Sequence, residues 1–360
     1  MRNACSIWLA SATAVALVAA LGLADVRAQG SRQGADIRVL PVRGNIFMLV
    51  GAGSNIVASV GRDGVLLVDT GAAAMSDKVV AAVEQLSRQV TASGMPQRSC
   101  VGFAQGCSWW QGSSFLATTV APPAPRPIAG IINTSFDVDH VGGNAAVMAA
   151  SLKFGVRLAP GAWIIAHENA TRHEPKLSAL PQNALPTESY FGTDKKLNYF
   201  NGEGVMVRHH PAAHTDGDSM VQFREADVLV AGDILNMASY PVIDLDRGGS
   251  VQGIVDALNW ILDVALVEHM MEGGTMIVPG HGRLTDSADV AYYRDMMTIV
   301  RDRVRAASKK GMTLQQIKAA KLTRDYDPRF GRNPSWTPDM FIEAVYRSLN
   351  PKAEKPKAQG

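Results

Sequence analysis

Two β-sheets packed together, with helices on their outer sides, is the α/β fold that this sequence predicts. Three observations point there. Short β-branched runs cut by Gly turns alternate with amphipathic helical stretches. The order strands, helix, strand, helix occurs twice, and two such mixed halves suit stacked sheets flanked by helices. The 360-residue chain is also 47% hydrophobic and only 19% charged, which supports a filled core rather than disorder.

Residues 1–28 read as an export signal. Arg2 gives a positive start, residues 7–24 form an apolar run, and Val26-Arg27-Ala28 offers small residues where a signal peptidase reads, so cleavage is expected after Ala28. A retained anchor is the alternative, although the run is near the lower length limit for a span. A periplasmic or secreted protein with no stable membrane anchor after cleavage is expected. Cys5 leaves with the signal. Cys100 and Cys107 remain, seven apart, and in an oxidising compartment they suggest a disulfide closing a small loop, against two free thiols.

The main domain is expected over residues 37–310. "IRVLPVRGNIFMLVG" and "NIVASVGRDGVLLVDTG" read as strands, with Arg62-Asp63-Gly64 as a hairpin turn. "SDKVVAAVEQLSRQV" places Val79, Val83, Leu86 and Val90 on one helical face, with Ser76 able to cap it. Residues 92–126, rich in Gly, Ser and Pro and carrying Trp109 and Trp110, form a long insertion that is either a binding loop or a packed-down surface loop. "PIAGIINT" is a buried strand, "NAAVMAASLKF" a helix and "GAWIIAHE" a strand; residues 171–203 look irregular. Three strands follow in "GVMVRHH", "SMVQFRE" and "DVLVAGD", then a helix over 251–271, the strand "TMIVPGHG" and a long helix over 287–310 ended by Gly311. Residues 311–349 make a C-terminal helical extension, and 350–360 a charged, Pro-containing tail without expected order.

The chemistry gathers at strand ends. Asp137, Asp139 and His140 crowd one loop in "NTSFDVDHVGGN". His214 in "AAHTDGD", His281 in "PGHG" and Asp233 in "DVLVAGD" lie at further strand-to-loop junctions. Loops on one sheet edge can converge, and imidazole with carboxylate suits borderline divalent ions. Each of these residues alone would more often be structural; the set is specific. Net charge is +2 with no basic stripe, which argues against nucleic acid; a small-molecule substrate is expected.

These motifs resemble the metallo-β-lactamase superfamily, whose pattern runs T-H-x-H-x-D-H-x-G-G-N, a G-H-T type segment, a G-D strand end and P-G-H-G. Here they read "TSFDVDHVGGN" (134–144), "AHTDGDS" (213–219), "AGD" (231–233) and "PGHG" (279–282), with the opening hairpins also alike. The resemblance covers roughly residues 37–310 and implies a four-layer αββα sandwich with a metal site at one edge, closer to the glyoxalase II-like branch than to the resistance enzymes. It implies one metal position at Asp139, His140 and His281, with Asp233 bridging. The other position departs from the pattern: two His become Ser135 and Asp137, leaving Asp137, His214 and Asp233. Three states stay open: one ion, an altered pair of ions, or a metal-free remnant. Zinc is expected, with manganese or iron possible in so oxygen-rich a set. Asp139 is expected to orient the nucleophilic water, and Asp137 to act as ligand or as general base. Ser135 is read as a small filler rather than a nucleophile, and Asp69 as a brace for the metal loops. His167 is read as orienting its local loop, His209 and His210 as core and surface, His269 as helix surface, and Asp216 and Asp218 as loop-capping carboxylates. An exported hydrolase acting on an ester, thioester, lactone or amide is the leading expectation. A non-catalytic ligand-binding protein on the same fold is the alternative.

Overall fold

Val65-Leu66-Leu67-Val68 shows how the layers form. All four side chains are buried, yet successive residues point to opposite faces of one strand. Leu66 and Val68 enter a core shared with the second sheet, whereas Val65 and Leu67 enter a core shared with helices. The computed structural model describes residues 36–92, 125–154, 161–172, 180–266 and 273–351. Those from Ile37 onward fall in one unit. The expected signal, the Trp109-Trp110 pair, the Cys100–Cys107 disulfide and His269 lie outside the described residues. Among the described residues, no helix is long and apolar enough to cross a membrane.

The first sheet runs in chain order through β1 (Arg38–Arg43), β2 (Ile46–Ala52), β3 (Ser54–Gly61), β4 (Gly64–Val68), β5 (Ile128–Ile132), β6 (Trp163–His167) and β7 (Glu188–Tyr190). It is antiparallel to β4 and parallel from β4 to β7. The second sheet has the order β12 (Met276–His281), β11 (Val228–Asn236), β10 (Ser219–Phe223), β9 (Val205–His209), β8 (Asp194–Lys196). Its β11–β12 pair alone is parallel. The short strands β7 and β8 fall inside the stretch read as irregular from sequence.

Three cores separate four layers. Ile46, Met48, Val57 and Ile132 of the first sheet meet Val207, Val221, Phe223 and Val278 of the second. On the outer side of the first sheet, Leu49, Ile56 and Ile131 pack on Val79, Val83 and Leu86 of the helix Ser76–Ala92. Outside the second sheet, Leu229 and Ile277 pack on the helices Val251–Val264 and Ser287–Lys309. This is the αββα sandwich. Each helix repeats its apolar residues at three- and four-residue steps, so one stripe faces a sheet. Ser76 does not stand outside its helix: it begins it, and its hydroxyl donates to the Ala73 carbonyl. The insertion is pinned where it returns, since Arg126 N–H donates to the Ser87 hydroxyl at 2.6 Å.

Residues 311–349 share the outer core. Phe330, Phe341 and Val345 are fully buried in the cluster that holds Ile254 and Leu258. The Phe341 ring stacks on Tyr240 at 4.5 Å between centroids, and Tyr240 Oη donates to Asp327 Oδ1 at 2.9 Å. Trp336 Nε1 donates to the Pro241 carbonyl. Phe341→Ala is therefore expected to cost about 3–5 kcal/mol in urea unfolding, as a loss within one cooperative transition. A cost below about 1 kcal/mol, or a separate early transition, would show the extension to be a satellite.

Candidate metal centre

β5 carries the chain to the sheet edge, and the backbone turns there through Asn133, Thr134 and Ser135, all about 1% exposed. A one-turn helix, Val138–Val141, follows with Asp137 at its N-cap position. The Gly-Gly-Asn that ends the motif is structural. A Cβ on Gly143 would lie 2.4 Å from the Thr70 carbonyl oxygen, so only glycine lets this turn lie on the loop after β4. Asn144 is wholly buried; it accepts from Thr70 Oγ1 at 2.8 Å and donates to Asn133 Oδ1 and the Ala184 carbonyl at 3.0 Å each.

Asp69 organises the loop. It follows β4 in a left-handed conformation (φ 62°), which aspartate tolerates better than most residues. Its carboxylate accepts from Thr134 N–H at 2.8 Å and Thr134 Oγ1 at 2.6 Å, and lies 2.8 Å from His140 Nδ1. With Nδ1 held, His140 presents Nε2 to the site. His214 follows the same logic. Its Nδ1 faces Asp218 Oδ1 at 3.3 Å, and Asp218 is fixed by Thr215 N–H and Thr215 Oγ1 at 2.7 and 2.8 Å. Asp218 is thus a brace for an imidazole as well as a loop carboxylate. Such pairs set the tautomer and direction of metal-binding histidines.

Asp233 sits in an irregular stretch of β11, where the pairing with β12 slips on either side of Gly232. Gly280 makes room for it: a Cβ there would come 2.5 Å from Asp233 Oδ1. Asp233 Oδ2 lies 3.1 Å from His140 Nε2, and Oδ1 lies 3.2 Å from His281 Nε2. His281 Nε2 is also 3.4 Å from Asp139 Oδ2, and His214 Nε2 is 3.4 Å from Asp137 Oδ2. The six residues named from sequence therefore converge. They form two groups, Asp139 with His140 and His281, and Asp137 with His214 and Asp233, each with ligand atoms within 4.8 Å of one another.

The donor set fits a divalent ion. His140 Nε2 and Asp233 Oδ1 are buried and make no hydrogen bond, although both face the cluster. Polar atoms are rarely left so, and a shared cation would satisfy both. The charges agree. Burial opposes ionisation of Asp233, but His140, His281 and His214 hold its carboxyl well below the usual range. Burial likewise lowers His214, yet Asp218, Asp233 and Asp137 raise it to about 9. Each imidazole is surrounded by carboxylates that favour a positive charge at its position, from a proton or a metal.

Sequence reasoning missed Arg247. Its Nη2 donates to Asp137 Oδ1 at 2.5 Å, while Nε donates to Asp244 Oδ2 at 2.8 Å. Burial and Asp233 leave the Asp137 carboxyl above its ordinary range despite His214 and Arg247. The segment "DLDRGG" gives no sign of this partnership, which spans 110 positions. Ser135 is buried, and its hydroxyl accepts a long 3.4 Å bond from Asp137 N–H. His167 takes Asn169 N–H at Nδ1, as expected of a residue that orients its loop, and stacks on His209 at 3.5 Å. His209 and His210 are both buried, and His210 packs against Trp260.

Residues 120–288 match the family model of the Metallo-beta-lactamase superfamily, and the chain carries the αββα sandwich of that superfamily. Among solved structures, the stereoselective inverting sec-alkylsulfatase Pisa1 from Pseudomonas sp. matches with a TM-score of 0.58 at 14% identity, over 89% of this chain and 52% of that one. A double mutant of the sec-alkyl sulfatase PisA1 gives 0.59 at 14%, with the same coverage. This chain thus spans about half the length of those enzymes, and the likeness is one of fold. A metallo-beta-lactamase from Pontibacter korlensis matches at 13% identity over 73% of this chain and 99% of that one, with a TM-score of 0.48. A sequence comparison with curated proteins gives no match.

The pH dependence of stability can be read away from the ligands. Burial, with Arg208 alongside, lowers His210 to about 4. The unfolded chain takes up a proton near pH 6.5 that the folded chain refuses, so the stability tied to neutral His210 is full above pH 6.5. It declines as pH falls toward about 4, by on the order of 3 kcal/mol. In urea titrations from pH 7 to pH 4, His210→Phe is expected to lose less stability than the wild type. Equal losses would refute the assignment.

Proposed function

We propose that this chain is an exported metal-dependent hydrolase that uses water activated at this centre on an ester, thioester, lactone or amide-type small molecule. The buried atoms His140 Nε2 and Asp233 Oδ1, which make no hydrogen bond yet face each other's residues and His281 across the cluster, carry the reading. Zinc is the first choice for these nitrogen and oxygen donors, with manganese or iron as alternatives. A divalent ion held there supplies Lewis acidity and brings the pKa of water from near 16 to about 7.

The chain's own residues do the rest. His140, with no exposed side-chain surface, and Asp233 form the floor; Asp139 and His281, about a third and a quarter exposed, form the mouth. Asp139 is the carboxylate at that mouth, placed to accept a proton from water and orient its lone pair toward a substrate carbonyl. His281 shares Asp139 and Asp233 and holds both in register. Export rests on the sequence of residues 1–28, and the disulfide between Cys100 and Cys107 belongs to the same expectation.

Purified protein is expected to retain metal and to hydrolyse members of a general ester, thioester and lactone panel. Asp139→Ala and His281→Ala should each lower metal affinity by at least the ~10–100-fold that supporting residues cost, and hydrolysis with it. Metal below about a tenth of an equivalent after loading, with no turnover, would sink the hydrolase reading and leave a ligand-binding protein.

A further inference from the structure

We propose that Arg247 stands in for a second cation, so that the centre takes one divalent ion, at Asp139, His140, His281 and Asp233, and none at Asp137 and His214. The inference rests on the metal-hydrolase reading for that one ion and goes beyond it in fixing what the altered half of the site does.

The first observation is occupancy of Asp137. Its Oδ1 is taken by the Arg247 guanidinium at 2.5 Å, and its remaining oxygen faces His214 Nε2 at 3.4 Å. An ion at this position would hold one oxygen of a carboxylate already neutralised by a guanidinium. Arginine keeps its charge at all working pH values, so the ion would meet repulsion where a ligand should attract it. The hydroxyl of Ser135 compensates little, being a weak neutral donor.

The second observation is that Arg247 is fixed. Its Nε and its backbone N–H both donate to Asp244, at 2.8 and 3.0 Å, and its carbonyl accepts from Asp216 N–H at 2.9 Å. Asp244 N–H in turn donates to the His214 carbonyl, and a Cβ on Gly249 would meet that same oxygen at 2.1 Å. The arginine loop is therefore packed on the His214 loop, and Asp244 holds the guanidinium at Nε. The other half of the centre differs. Among the described residues, the ion pairs of Asp139 and Asp233 are with histidines, and histidines can give up a proton to a metal where arginine cannot.

Asp137 is thereby a positioning residue. It aims His214 and holds a fixed positive charge beside the ion.

The test is metal stoichiometry. The full chain and its variants are stripped with chelator, loaded with Zn²⁺, desalted and assayed for metal per chain by mass spectrometry, with thermal unfolding as the check on folding. The wild type is expected to hold one ion, folded Arg247→Gln two, and His214→Gln one, with no more than about threefold loss of affinity, well short of the ~10-fold that marks a ligand. Two ions in the wild type, or one in folded Arg247→Gln, would overturn the inference. Should Arg247→Gln fail to fold, His214→Gln decides: an affinity loss beyond the ~10-fold that marks a ligand or its direct support overturns it. No ion in any protein defeats the hydrolase reading itself, whereas one ion in both wild type and Arg247→Gln defeats this inference alone.

Discussion

The buried carboxylate of Asp69 is the tie on which the centre depends. It is 1% exposed and bonded on every side. Its partners, Thr134 at the exit of β5 and His140 in the next turn, join two adjacent strand ends to the candidate metal centre. A carboxylate in such a place is costly unless fully hydrogen-bonded, and its left-handed backbone adds strain. Both costs are offset because it sets where His140 Nε2 points. Gly142 and Gly143 then let the short helix close over it, and Asn144 locks the closure from below.

The rest of the centre is an exercise in charge balance. Asp137, Asp139 and Asp233 crowd one sheet edge, and such density is unstable without positive partners. Two kinds of partner are present. Histidines face Asp139 and Asp233 and can yield to a metal. A permanently charged arginine faces Asp137. The two halves of one motif, alike in residue type, are thus different in chemistry. The half with Asp139 and His140 is paired with histidines, whereas in the half with Ser135 and Asp137 the chain supplies an arginine as well as His214.

Much of this was legible in sequence, for physical reasons. The β-branched runs of β3, β4 and β5 are buried on both faces, so the hydrophobic pattern reports them directly. The six ligand candidates were visible because strand ends at one edge converge. What escaped notice lacked a local signal. Glu188–Tyr190 and Asp194–Lys196 are three-residue edge strands, mostly exposed, and their order comes from neighbours rather than from their own pattern. Asp218 looked like a loop carboxylate because only the folded chain shows it behind His214. Arg247 was invisible because its partner Asp137 is distant in sequence, and an arginine in a surface loop is ordinary until one sees what it faces.

The measurement that tests the account most directly is anomalous diffraction from crystals of the zinc-loaded protein. The account predicts one anomalous peak, among Asp139, His140, His281 and Asp233, with Arg247 still paired to Asp137. A peak between Asp137 and His214, or two peaks with the arginine displaced, would contradict it.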